Sequence, residues 1–368
     1  MRVLFKKRKS GFFTSFFLIS LTLALVALLF HLLSYAFPSF ADLVSQKISH
    51  SLRSTLAYLT ALFPFSLAEW MLLFIPVWLF LLLRRAYRLR GDRRATLRML
   101  SAVLAVPLLL YSAFVFTLGT GYYATPLADK MALPQYANEA QGLYQLTCLL
   151  SERAEEEGKA AGVQVLKEGS RSPLTHQEVN LILLDAYDTL SEEYGFIQSF
   201  QVGTKEVTFS RPMAYTHITG VYTFFTGESN VCTAYPDYSV IFTAAHEMAH
   251  ARGIAREDEA NFVAFLVCER ASHPYVRYAG YMSLLQYVSN ALYAADRTAF
   301  REAWQQYSDR VVDELLAYNA VLATYSESVV SDVAGSINNA YLEGMGTGGS
   351  VSYSMVVSLA LRYFPIQR

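Results

Sequence analysis

Apolar runs in the first 120 residues constrain this chain more than any other feature. A stretch of about 20 apolar residues is stable as a bilayer-spanning helix and a liability almost anywhere else. Three runs, over about 12–36, 67–83 and 97–118, are read as spans. The first holds only His31 as an ionisable group. It follows Lys6, Lys7, Arg8 and Lys9 as a signal peptide would, but its apolar stretch is too long and lacks a small-residue cleavage site, so it reads as a retained span. The second is shorter and carries Glu69 near its start, which places that acid near the membrane surface. Residues 52–63, ahead of Pro64, are apolar enough to lie at the interface.

Basic residues set the orientation. Arg2 and Lys6 to Lys9 precede the first run, and Arg84, Arg85, Arg88, Arg90, Arg93, Arg94 and Arg98 lie between the second and third. The loop after the first run has only Lys47 and Arg53. The positive-inside rule then puts the N-terminus and the arginine-rich loop in the cytoplasm, and three crossings put everything after Tyr122 outside. The expectation is a multi-pass protein of the cytoplasmic membrane, with an anchor over residues 1–121 and an extracytoplasmic domain over 122–368. The lipid bilayer is its first partner.

The second part reads as an ordinary folded domain, long enough to bury a full core. Basic residues flank apolar runs instead of lining a soluble face, which excludes a nucleic-acid footprint. Cys148, Cys232 and Cys268 have no metal or disulfide spacing, and read as small buried side chains, although Cys232 and Cys268 could pair. Residues 122–170 look largely helical. Thr175 and Glu178 form a capping box for a helix that Gly195 ends. Residues 202–232, rich in Thr, Val, Tyr and Phe and punctuated by glycines, predict two or three short strands. Helices follow over about 239–251 and 257–270, with 298–325 the longest and 352–363 the last.

His246-Glu247-Met248-Ala249-His250 carries the chemistry. On a helix, positions i and i+4 share a face, so both histidines can reach one metal ion. A metal held there makes a nearby water easier to deprotonate, and Glu247 is offset to take the proton as that water attacks a carbonyl. A catalytic zinc site needs a third protein ligand. Arg256 to Phe262 opens the next helix, after Gly253 closes the first. Glu257 and Asp258 read as favourable charges at a helix start. Glu259 has Phe262 and Val263 at i+3 and i+4, and an acid on a buried stripe needs a partner, which makes Glu259 the expected third ligand.

The HExxH sequence, followed by a helix with Glu259-Ala260-Asn261, resembles the gluzincin metallopeptidases, in which two histidines and a glutamate bind zinc. Membrane-linked gluzincins often carry Glu-Ala-Asp at that point, the aspartate orienting a ligand histidine; here Asn261 stands in its place. Gly220-Val221-Tyr222, Thr226 to Asn230, His246 and Glu259 together resemble the bacterial domain-of-unknown-function family 3810, which also has a multi-span N-terminus. The resemblance implies an α+β fold: a three-helix transmembrane region followed by a mostly helical zincin-like domain with a small antiparallel sheet. It further implies Zn2+ bound by His246, His250 and Glu259, with Glu247 as the base of a peptidase acting on a peptide or protein substrate. In such folds an edge strand beside the cleft pairs with extended substrate, and 216–230 is the candidate. Glu228 then reads as a solvated turn residue or a binder of a substrate amine. His217 reads as structural, with a transition-state donor or an alternative ligand as its other roles; Tyr341, Tyr353 and His273 are further donor candidates. The alternative function is a non-catalytic zinc-binding sensor or scaffold, which Asn261 favours.

Overall fold

Helix capping and proline set the limits of the membrane-facing elements. The computed structural model describes residues 13–136, 140–325, 336 and 352–366. Helix α1 (Ser15–Ala36) starts at Thr14, whose hydroxyl accepts the Phe17 N–H, and stops at Phe37, held extended before Pro38. After α2 (Pro38–Leu43), a wide helical turn (Val44–Ser49) leads into α3 (His50–Ala61). Then come α4 (Leu67–Leu73), α5 (Ile75–Leu89) and α6 (Arg93–Thr117), the last capped by the Asp92 carboxylate on the Arg94 and Ala95 amides.

Helices α1 and α6 are long and apolar enough to cross a membrane. They pack side by side in the same direction. The Thr14 amide donates to Ser101 Oγ at 3.2 Å at one end, and the Phe30 and Phe116 rings lie 5.4 Å apart at the other. Small buried residues, Ser20, Ala24 and Ala27 facing Ser101, Ala105 and Ser112, allow the close approach. The middle run is not a single helix as expected. It divides into α4 and α5, bent by 47°, so two helices rather than three qualify as spans on their own. Pro76 explains the break: its ring and missing N–H cannot continue a helix entering from α4, and instead suit the first turn of α5.

The membrane-proximal segment and the folded domain share one interior. Tyr122, Tyr222, Ala251 and Ala255 pack in a cluster with Ala27 of α1, Ala57 of α3 and Phe114 of α6. Polar contacts add to it. Glu228 accepts the free amides of Leu67 and Ala68 at the start of α4, at 2.9 and 3.0 Å, and pairs with Lys205 at 2.7 Å. Glu69 reciprocates by accepting the Thr208 and Phe209 amides. Glu228 is therefore buried, not the solvated turn residue or amine binder expected. The positive end of α4 and the Lys205 ammonium meet its desolvation cost.

The remaining chain forms α7 (Leu127–Lys130), α8 (Ala140–Ala160), a hairpin of β1 (Val165–Leu166) and β2 (Gly169–Ser170), and α9 (His176–Glu193), with the capping box in place at Thr175 and Glu178. Strand β3 (Lys205–Glu206), α10 (Ser210–Ala214), β4 (Gly220–Thr223) and β5 (Glu228–Val231) follow. The sheet is mixed, not antiparallel as expected. β5 is central and pairs antiparallel with β4 as a hairpin, but parallel with β3, because α10 and β4 intervene before the chain returns. Next come α11 (Asp237–Ala251), α12 (Glu257–Arg270), α13 (Pro274–Ala295), α14 (Arg297–Trp304), α15 (Asp309–Tyr325) and α16 (Ser352–Tyr363). The long helix expected over 298–325 is two. Ser308 caps a new start by accepting the Val311 amide. The core centres on α12, buried from Asp258 to Cys268 between α11, α13, α9 and α16. Cys232 and Cys268 are buried and unpaired.

Candidate functional site

Helix α11 carries His246, Glu247 and His250 on the face turned toward β4 and the start of α12. Pro236 opens the helix and Gly253, at φ +94°, closes it as expected. The reversal that follows brings the first turn of α12 back against the last turn of α11. His246 Nε2 and His250 Nε2 lie 3.0 Å apart. The Glu257 carboxylate faces both, with oxygens 3.2 Å from His246 Nε2 and 3.5 Å from His250 Nε2. One ligand atom from each residue can be chosen so that all three lie within 4.8 Å of one another, a set that could hold a metal ion.

The carboxylate that joins the two histidines is thus Glu257 and not Glu259. Glu259 is buried as anticipated, but its partners are the Leu127 amide at 2.7 Å and the Arg256 guanidinium at 3.2 Å. Two residues further along a helix is about 200° of rotation, so the two glutamates cannot face the same cluster. Helical phase contained the signal. Asn261 lines the cleft, and Glu257 lies four residues before it on the same face.

His250 Nδ1 bonds to the Ile254 carbonyl at 2.7 Å, an outer contact that orients the ring and leaves Nε2 for the cluster. Asn261 does not serve a histidine; its Oδ1 accepts the Tyr287 hydroxyl at 3.3 Å. Burial opposes ionisation of Glu257, but His250 and His246 outweigh it and hold the carboxyl well below its usual range. Burial likewise opposes protonation of His250, and Glu257 outweighs it, raising the imidazole to about 9. The cluster therefore stabilises a positive charge between its three side chains, whether a proton or a metal ion carries it.

Glu247 is 4 % exposed and one of its oxygens, Oε2, has no hydrogen-bond partner among the described residues. Burial raises its pKa, opposed by His246 and His250. Gly220 of β4 lies directly on this carboxyl. A Cβ there would stand 2.6 Å from Glu247 Oε1 and 2.6 Å from Thr243 Cγ2, so only glycine lets the strand approach so closely. Next to these residues is a cleft of about 430 Å³ running along β4. Leu118, Tyr122 and Phe224 line one end, and His217 and Tyr318 line it as well.

His217 faces the cleft but gives its Nε2 to the Tyr325 carbonyl, so it is not part of the cluster. His273 caps α13 by accepting the Tyr275 amide. Tyr341 and the Tyr353 side chain lie outside the described residues. Tyr287 and Tyr318, which line the cleft, were not distinguishable among 25 tyrosines from sequence alone.

No curated protein and no solved structure matches the chain. A family model described as a protein of unknown function, DUF3810, matches residues 44–361. That stretch takes in α3, α6, the cleft and every residue of the His246–His250–Glu257 cluster, and the chain belongs to the DUF3810 family.

Proposed function

We propose that the protein is a membrane-anchored zinc-dependent peptidase, with His246, His250 and Glu257 holding zinc and Glu247 acting as general base. One observation carries this reading: three metal-competent side chains converge beside a cleft that is also lined by Glu247, a buried carboxylate with one oxygen lacking a partner among the described residues. The donor set fits the ion. Imidazole and carboxylate ligands about 2.0–2.2 Å from a tetrahedral zinc stand about 3.4 Å apart, close to the 3.0–3.5 Å separations here. Bound there, zinc would polarise a carbonyl and ease deprotonation of a water. Glu247, shielded from solvent by β4, would take that proton and pass it to the leaving amine. The edge strand β4, with Val221 exposed, would align an extended chain across the site. The combination of HExxH and a nearby glutamate is the resemblance to gluzincins noted above. A non-catalytic zinc sensor is a second reading. It is favoured by Asn261 being engaged with Tyr287 while His246 Nδ1 is left without a partner among the described residues.

Glu247→Gln separates the two. The variant should keep its zinc and lose hydrolysis of a fluorescent casein by about 100-fold or more, the scale of a lost general base. Hydrolysis of that probe surviving the substitution would remove Glu247 from the mechanism.

We also propose three crossings, with α4 and α5 as a broken second span and the folded domain outside. Parallel packing of α1 and α6 supports this, because a chain that crosses twice in the same direction must return in between. Among the described residues between α1 and α6, the bent pair is the segment long and apolar enough to cross, and the Arg-rich turn into α6 lies at the same end as the start of α1. A reporter enzyme active only outside the cytoplasm should work when fused after Arg368 and fail when inserted at Gly91. The reverse pattern inverts the topology.

A further inference from the structure

The cleft is built onto the membrane-facing side of the fold. Its Leu118 and Tyr122 lining comes from the residues that leave α6, and Phe224 packs edge-on against Phe114, one turn before α6 ends, with ring centroids 5.5 Å apart. The turn between β4 and β5 rests on α3: a Cβ on Gly227 would stand 2.8 Å from the Ala57 amide nitrogen. Strand β4 is four residues long, so an extended segment lying beside it reaches from Glu247 to the end of α6 in about 13 Å.

Helix α3 has two faces of different kinds. Arg53, Ala57 and Thr60 are buried against the domain. Leu52, Leu59 and Leu62, at helical spacing on the outward side, are exposed, with Leu62 at 78 %, and the hydroxyls of Ser51 and Thr55 between them are turned back onto helix carbonyls. The chain reaches α3 from α1 through α2 and the wide turn, and leaves it for α4 and α5, so this face lies between segments that the bilayer would cover. Lys47, exposed just ahead of α3, supplies a charge suited to lipid headgroups. The occupant of that face is the leaflet from which the folded domain rises.

We propose that α3 lies in the headgroup layer of that leaflet and that the cleft takes a polypeptide joined to a bilayer anchor, either a lipid or a membrane span, a few residues from the segment held along β4. This rests on reading the His246 cluster as a substrate site, and gives that site a substrate class. Soluble chains would have to approach the Leu118 end through headgroups, whereas a tethered chain starts there.

The test uses the full-length protein in phosphatidylcholine vesicles containing a phosphatidylethanolamine whose amine carries a maleimide. Val221→Cys puts a thiol on the exposed edge of the cleft, in a Cys148→Ser background that leaves only the two buried native cysteines. Leu166→Cys puts one on β1, exposed and packed against α15. Each rate with the lipid maleimide is divided by the rate with a soluble, impermeant maleimide. The ratio for Val221→Cys should exceed that for Leu166→Cys at least about tenfold. Equal ratios would mean that tethered groups do not reach the cleft, and would overturn the proposal; Ile218→Cys gives the same reading if Val221→Cys does not reconstitute. Labelling requires neither zinc nor hydrolysis, so this result is independent of the zinc and casein measurements on which the peptidase reading depends.

Discussion

Zinc should co-purify with the detergent-solubilised protein at about one ion per chain, and Glu257→Ala should lose it while Glu259→Ala keeps it. The contrast is large because the two acids do different work within two residues. Glu257 presents both carboxylate oxygens to the imidazoles at 3.2 and 3.5 Å, so its removal takes away a ligand and the negative charge that balances the ion. Outer-shell partners of zinc sites are worth about 10–100-fold in affinity, and a direct ligand should exceed that range. Glu259 instead caps the Leu127 amide and pairs with Arg256, so Glu259→Ala should cost stability, about 1–3 kcal/mol for a buried amide left unpaired, without emptying the site. Metal analysis of the two variants beside the native protein and His250→Ala decides the matter. Zinc retained in Glu257→Ala, or lost only in Glu259→Ala, would assign the third ligand the other way.

That contrast also marks how far the sequence could be read. The HExxH helix was legible because its information is local: two histidines at i and i+4, a run of helix formers and a glycine stop all act within one element. The capping box at Thr175 and the presence of two or three short strands before the motif were legible for the same reason. Glu259 misled because burial was inferred correctly and its partner was not. A buried carboxylate needs compensation, and the amide at Leu127 that provides it is 132 residues away. Glu228 is the same case in reverse. It looked like a hairpin residue open to water, and tertiary packing buries it under α4 with Lys205. In the membrane region, composition identifies the apolar runs, but hydropathy alone does not register the break that Pro76 makes in the middle one. The parallel strand pairing of β3 depends on how α10 folds back, which no pattern within β3 or β5 encodes.

Arg53→Met should lower the thermal midpoint of the solubilised protein by about 6–12 °C, the largest stability loss expected from one side chain in the membrane-proximal segment. Arg53 is 1 % exposed, and its three hydrogen bonds all go to backbone carbonyls: Ala251 at 3.0 Å, Thr117 at 2.6 Å and Ser45 at 3.1 Å. Two of these carbonyls end helices. Ala251 closes α11, one residue beyond His250, and Thr117 closes α6, so the guanidinium sits where two helices present partial negative charge. Burial pulls its pKa down to about 10, which leaves it charged at neutral pH. Methionine matches much of the volume but donates nothing, and leaves three acceptors without their donor. At about 1 kcal/mol or more each, the loss is about 3 kcal/mol, and for a chain of this size each kcal/mol moves the midpoint by about 2–4 °C. Arg53→Lys should fall between, because an ammonium on a flexible stem cannot span three carbonyls set in different directions. The same geometry joins the end of the HExxH helix to the end of α6 through one side chain. Arg53→Met should therefore weaken zinc retention as well as stability, whereas a substitution such as Leu166→Ser, on the far hairpin, should leave zinc unchanged. A midpoint within about 2 °C of native in Arg53→Met would show that water or neighbouring donors replace the guanidinium, and that the coupling between α6 and α11 rests on apolar packing alone.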